Sequence, residues 1–116
     1  MSTYSKHFLS ESTNGRGILV ATTTSPGTTI HNAVAGSVDM DEVWIYAVNL
    51  DSSTRTLYLQ WGGVSSEDIV NVNVDPSEGL RAIIPGFPLN NSVVVSAYAS
   101  VSDKITIHGF VNRIEA

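Results

Sequence analysis

Apolar and polar residues alternate along most of this chain with a period of two. In the segment DIVNVNVD, Val70, Val72 and Val74 fall on one side, while Asn71 and Asn73 fall on the other. The segments TRTLYLQW and SVVVSAYASV alternate in the same way. This is the period of a β-strand with one buried face, and no segment keeps a helical period flanked by caps. The chain is therefore predicted to be all-β.

Eight strands are predicted, each an alternating segment bounded by turn residues. They cover residues 18–24, 28–34, 42–50, 54–61, 68–74, 79–84, 92–101 and 104–114. Pro85-Gly86 is expected to be a turn, VSSED is expected to turn briefly helical, and the short Ser102-Asp103 connection predicts a hairpin of the last two strands. Many short strands with frequent turns favour an antiparallel β-sandwich that is jelly-roll-like.

The first seventeen residues, MSTYSKHFLSESTNGRG, lie outside this pattern. We predict an extended N-terminal arm over residues 1–17 and a single β-sandwich domain over residues 18–116. The arm is polar, with Tyr4, Phe8 and Leu9 as isolated apolar anchors, and STNGRG is typical of a flexible hinge. Two interpretations stay open: a frayed terminus, or an arm that becomes ordered on a neighbouring molecule.

One predicted strand, EVWIYAVNL, is apolar on both faces. Val43, Ile45 and Ala47 fall on one side, and Trp44 and Tyr46 fall on the other. Such a strand is either covered twice within its domain or buried against another chain. Charged residues make up only 15% of the chain, against about 25% in a typical soluble domain. A small sandwich cannot easily cover both faces, so we favour a contact between subunits.

Charge and composition exclude several classes of function. The net charge is −5, and the six Lys and Arg residues are scattered, whereas nucleic-acid binding needs them clustered. The chain has no cysteine, which rules out disulfides and thiolate chemistry. No apolar run approaches the roughly 18 residues of a membrane span, and the first residues lack the pattern of a signal peptide. We expect a soluble protein that binds neither nucleic acid nor membrane.

Two Thr-Ile-His segments raise the question of a shared site. They are Thr29-Ile30-His31 and Thr106-Ile107-His108. Each isoleucine is predicted to face the core and each histidine the more polar side of its strand. If the two strands pair, the histidines would be neighbours, but a third metal ligand at a readable spacing is missing. We expect two histidines that hydrogen-bond on a strand face, and no metal or cofactor.

Acidic residues give no clearer sign of chemistry. Asp39, Asp41 and Glu42 in VDMDEV could offer oxygens to calcium, but a calcium loop needs more ligands and a glycine turn. An acidic loop that keeps the strand entrance solvated is the favoured interpretation. No GxSxG elbow is present, and no Ser-His-Asp set stands out from chance. We therefore predict no catalytic residues and no enzyme activity.

Four segments carry a resemblance to a known class of protein: TTIHNAVAGSVDMDEVWIYAVNL, LYLQWGG, IIPGFPLNNSVVVSAYAS and ITIHGFVNRI. Together they resemble auxiliary head proteins of tailed bacteriophages, of the decoration or cement type, from about Thr28 to Ile114. The resemblance implies a non-catalytic protein made in the host cytoplasm that binds the outside of a capsid. Its partners would be the major capsid protein and copies of itself, with a trimer favoured, and a terminal arm would help to anchor it.

The residues expected to contact partners come from the arm and from the doubly apolar strand. They are Tyr4, Lys6, Phe8, Leu9, Arg16, Trp44 and Tyr46. The alternative is a glycan-binding sandwich of a phage fibre or surface protein, because sugar rings stack on aromatic side chains. Five aromatic residues are available for such a platform, although most lie within strands, where core packing is the default. They are Trp44, Tyr46, Tyr58, Trp61 and Tyr98.

Overall fold

Nine strands form the fold in the computed structural model, which describes residues 2–116. In chain order they are β1 (Thr3–Phe8), β2 (Ile18–Val20), β3 (Thr28–Asn32), β4 (Met40–Asn49), β5 (Arg55–Trp61), β6 (Ile69–Val74), β7 (Arg81–Leu89), β8 (Val94–Ala99) and β9 (Ile105–Glu115). The first sheet has the order β1-β9-β4-β7, with β2 also paired to β9, and the second has the order β3-β8-β5-β6. All pairs are antiparallel, which confirms the predicted all-β sandwich.

The strands from β2 to β9 wrap around the core as a jelly roll. The first sheet contains β2-β9-β4-β7 and the second contains β3-β8-β5-β6, so the chain crosses repeatedly from one sheet to the other. The predicted hairpin of the last two strands is wrong. β8 lies in the second sheet, whereas β9 lies in the first, flanked by β4 on one side and by β1 and β2 on the other.

The core lies between the two sheets and contains most of the inward side chains that the two-residue period predicted, although Val70 of β6 is exposed. Val43, Ile45 and Ala47 of β4 are fully buried, and so are Leu57 and Leu59 of β5. Burying a large aliphatic side chain contributes about 1.5–3 kcal/mol before ordering costs are subtracted. The opposite side of β4 faces outward, and its side chains Glu42, Trp44, Tyr46 and Val48 are only partly buried.

Strand β7 runs on through the predicted Pro85-Gly86 turn. Its register against β4 shifts between Val43 and Trp44, which accommodates an extra residue as in a β-bulge. β7 is an edge strand, so its prolines need not donate to a neighbour on the open side. The short helical turn expected in VSSED is confirmed as a 3-10 helix over Ser66–Asp68. Within residues 2–116 no helix is long and apolar enough to span a membrane.

The predicted arm is extended, but it belongs to the sandwich. Residues 3–8 form β1, a ninth strand that pairs with β9. Leu9 is buried in the core, and the backbone N–H of Glu11 donates to the carbonyl of Ile30 on β3. The arm therefore crosses from the edge of the first sheet to the edge of the second. Alternation did not reveal β1 because neither of its faces enters the core.

Candidate interaction surface

The outer side of the first sheet carries a row of aromatic side chains from three strands. Antiparallel partners share a face, and the register places Phe8 beside Phe110 and Phe110 beside Trp44. A second row places His108 beside Tyr46. We call this surface the aromatic face, formed by Tyr4, Phe8, Trp44, Tyr46, His108 and Phe110. β9 brings the arm and the doubly apolar strand together, since it pairs with both.

Trp44 is fixed in place at the centre of the aromatic face. Its ring stacks on Phe110 with centroids 5.9 Å apart and planes 11° apart. Its Nε1–H donates to Oε1 of Glu42 at 3.2 Å. A Cβ atom at Gly86 would lie 2.7 Å from the indole, so only glycine leaves room for the ring over β7. Because Trp44 is already ordered, a partner that binds it would immobilise little additional side-chain freedom.

The arm contributes the most exposed part of the aromatic face. Tyr4 is 71% and Phe8 is 59% exposed, which is unusual for large aromatic side chains on a sheet. The Nζ of Lys6 lies 4.8 Å from the centroid of Phe110, within the range of a cation–π contact. Beside them lies an open groove of about 450 Å³, lined by Lys6, His7, Phe8, Gly15, Gly109 and Phe110.

Five of the seven predicted partner residues lie on this side of the first sheet: Tyr4, Lys6, Phe8, Trp44 and Tyr46. Leu9 does not, because its side chain is 1% exposed and fills the core. Arg16 lies in the exposed turn before β2, where its backbone N–H donates to the backbone carbonyl of Thr13. Phe110 was not among the predicted partner residues, although its place opposite Val111 in the two-residue period puts it on the outer side of β9.

A second feature is a buried polar cluster that joins the two sheets. Nε2 of His31 lies 2.8 Å from Oδ2 of Asp41, and both side chains are almost fully buried. Arg113 donates to both carboxylate oxygens of Asp41, at 2.8 and 3.1 Å. Nδ1 of His31 accepts the backbone N–H of Ser10 at 3.0 Å. Nδ1 is therefore the unprotonated nitrogen, and Nε2 donates to the carboxylate.

The charge of Asp41 is held by these neighbours. Burial alone would raise the pKa of Asp41, but the hydrogen bonds from Arg113 and His31, together with the charge of Arg113, outweigh it and lower that pKa. The same hydrogen bond raises the pKa of Arg113. The cluster is internally satisfied: among residues 2–116 no buried side-chain nitrogen or oxygen lacks a hydrogen-bond partner. Its geometry suits a structural link between β3, β4 and β9.

This arrangement corrects three interpretations of the sequence. His31 lies in the second sheet and His108 in the first, so the two histidines are not neighbours. His31 is buried, not on a polar strand face, because the register between β3 and β8 shifts just before it. Asp41 belongs to β4 and is buried, not part of a solvated acidic loop. In the described part of the chain no three His, Asp or Glu residues are grouped to hold a metal ion.

The outer side of the second sheet is different in character. Tyr58 and Tyr98 stack with centroids 4.7 Å apart and planes 9° apart. Asn71 of β6 pairs with Tyr58 of β5. Asn73 pairs with Thr56, and its Oδ1 accepts a hydrogen bond from the Thr56 hydroxyl at 2.9 Å. Trp61, in contrast, packs against the core. This surface is polar around a single pair of tyrosines.

Comparison with protein-family models, with curated proteins and with solved structures gives no match for this chain.

Proposed function

We propose that this protein is a non-catalytic structural subunit of a virion, which binds the outside of a phage capsid and stabilises the shell. The aromatic face is the observation that carries the proposal. Exposed Tyr4 and Phe8 lie beside partly exposed aromatic side chains of β4 and β9 on one side of the sheet, and such patches are typical of surfaces that another protein covers. The resemblance of residues 28–114 to phage decoration proteins supplies the capsid as the assembly in which this occurs.

The links between distant segments of the sandwich support a structural role, because a subunit of an assembled shell must stay folded. Three separate chain segments meet at Asp41, and the arm is tied to both sheets through β1 and through the contacts of Ser10. Such long-range links constrain the chain in a small domain. The partners proposed are the major capsid protein and copies of the chain itself, as a trimer or another homo-oligomer.

Binding to capsids is the direct test. The purified protein is added to capsids of the encoding phage that lack it, and the mixture is sedimented. We expect saturation at a fixed number of copies per capsid and a higher melting temperature of the shell. No co-sedimentation, or binding without saturation, would contradict the proposal.

Two matched variants separate the two outer surfaces. Tyr46→Asp places a charge on the aromatic face, whereas Tyr58→Asp places the same charge on the outer side of the second sheet. Both tyrosines are half-buried within a strand, so the two changes are comparable. We expect Tyr46→Asp to reduce capsid occupancy and Tyr58→Asp to leave it nearly unchanged.

Glycan binding is the second candidate, and the Tyr58–Tyr98 stack is the observation that favours it. Two parallel rings beside Asn71 and Asn73 combine an aromatic surface with amide groups that can bond to hydroxyls. A glycan array probed with the wild-type protein and with Tyr58→Ala tests this candidate. Specific binding that is lost in Tyr58→Ala would favour it over the capsid role.

A further inference from the structure

We propose that a second copy of this chain covers the aromatic face, so that two copies form a two-fold dimer through their first sheets. The inference rests on the proposed function only in that this face is covered in the assembly. It names the occupant and predicts its orientation, and it does not require a capsid for its test.

The size of the face fits a stable pair. β9 has eleven residues, and four strands lie side by side across the sheet. β1, β4 and β7 have six, ten and nine residues. At about 3.4 Å per residue and 4.8 Å between strands, the face covers about 600 Å². Two such faces stacked against each other bury about 1,200 Å² in total, which is the lower end of the range for specific protein interfaces.

The charge of the face also favours a second copy. The whole chain carries −5, so two copies repel each other unless they meet at a neutral surface. The charged residues on the outward side of β1, β9 and β4 are Lys6 and Glu42, which lie in a further cross-strand row on either side of Asn112. Among residues 2–116 neither takes part in an ion pair. Their opposite charges make the surface neutral.

These two charges determine the orientation of the pair. Consider a two-fold axis that lies between the two stacked faces, parallel to the strands and midway between β4 and β9. It places β9 of one copy over β4 of the other, and each cross-strand row lies over the same row of the partner. Lys6 of each copy then lies one strand away from Glu42 of its partner, and both ion pairs form. An axis across the strands would reverse the rows and separate the charges. The same orientation stacks Phe110 of one copy on Trp44 of the other.

Complementary charge reversal tests the pair. In Lys6→Glu both contacts become acid against acid, and in Glu42→Lys both become base against base. An equimolar mixture of the two variants forms heterodimers in which both contacts are again opposite in charge. By sedimentation equilibrium we expect a wild-type dimer, a dissociation constant raised about tenfold or more in each variant alone, and recovery in the mixture.

Three controls keep the outcomes distinct. Lys104→Glu makes the same charge change in the exposed turn before β9 and should leave the dimer intact. Glu42→Gln keeps an acceptor for Trp44 and should weaken the dimer even if Glu42→Lys fails to fold. A monomeric wild type, or a mixture no tighter than its components, would overturn the inference. If the wild type still saturates capsids in that case, the proposed function stands and only the dimer is wrong.

Discussion

His31 and Asp41 join the two sheets of the sandwich through a 2.8 Å hydrogen bond between Nε2 and Oδ2. His31 belongs to β3 of the second sheet and Asp41 to β4 of the first. Nε of Arg113 on β9 donates to Oδ1 of the same carboxylate, and the backbone N–H of Ser10 in the arm donates to Nδ1 of the imidazole. Four distant parts of the chain therefore depend on one buried cluster.

Replacing the two histidines should give unequal effects on stability. His31→Ala leaves the backbone N–H of Ser10 without its acceptor, at about 1–3 kcal/mol, and removes one of the three donors to Oδ2 of Asp41. His108 is half-buried on the outer side of β9, so His108→Ala should cost about 1 kcal/mol or less. Urea unfolding followed by tryptophan fluorescence measures both. Equal losses would mean that the buried cluster does not stabilise the fold.

The stability of the protein should fall in acid because of Asp41. Its pKa is lowered in the folded state, so its contribution is complete above its unfolded pKa of about 4 and is lost as the pH falls through the lower folded value. Asp41→Asn removes the carboxylate that pairs with Arg113, whose side chain is 25% exposed, and should cost about 1–3 kcal/mol at neutral pH. The difference in unfolding free energy between wild type and variant should be constant above about pH 5 and should shrink below pH 4. A difference that stays constant down to pH 2 would contradict this linkage.

Adjacent residues of the arm should differ sharply in their contribution to folding. Leu9→Ala empties a buried site in the core and should cost about 2–5 kcal/mol. Phe8→Ala removes a side chain that is 59% exposed and should cost about 1 kcal/mol or less, while weakening any contact at the aromatic face. Chemical unfolding of the two variants provides the comparison. A small loss in Leu9→Ala would show that the arm is only a frayed end.

Much of this fold could be predicted from alternation, because a half-buried strand imposes a two-residue period on its sequence. The inward residues of β4 and β5 were predicted in this way and are confirmed. β1 escaped prediction because its side chains do not enter the core, and its partner β9 lies about a hundred residues away. The burial of His31 could not be predicted either, since it depends on a register shift and on Asp41 and Arg113 arriving from other strands.

The same reasoning applies to the aromatic face. Trp44 and Tyr46 stood out because their strand is apolar on both sides, and Tyr4 and Phe8 stood out as apolar anchors in a polar segment. Their union on one surface follows from β9, which pairs with β1 and β4 at once. A sequence pattern describes each strand separately, so it cannot show which strands become neighbours.

The most direct measurement is hydroxyl-radical footprinting of the protein on capsids, compared with the same protein diluted to a monomer. If the aromatic face is covered in the particle, oxidation of Trp44, Tyr46 and Phe110 should fall on assembly. Tyr58 and Tyr98 on the second sheet should be oxidised to nearly the same extent in both states. Protection of Tyr58 and Tyr98, with the aromatic face as reactive as in the monomer, would contradict the account and move the contact to the second sheet.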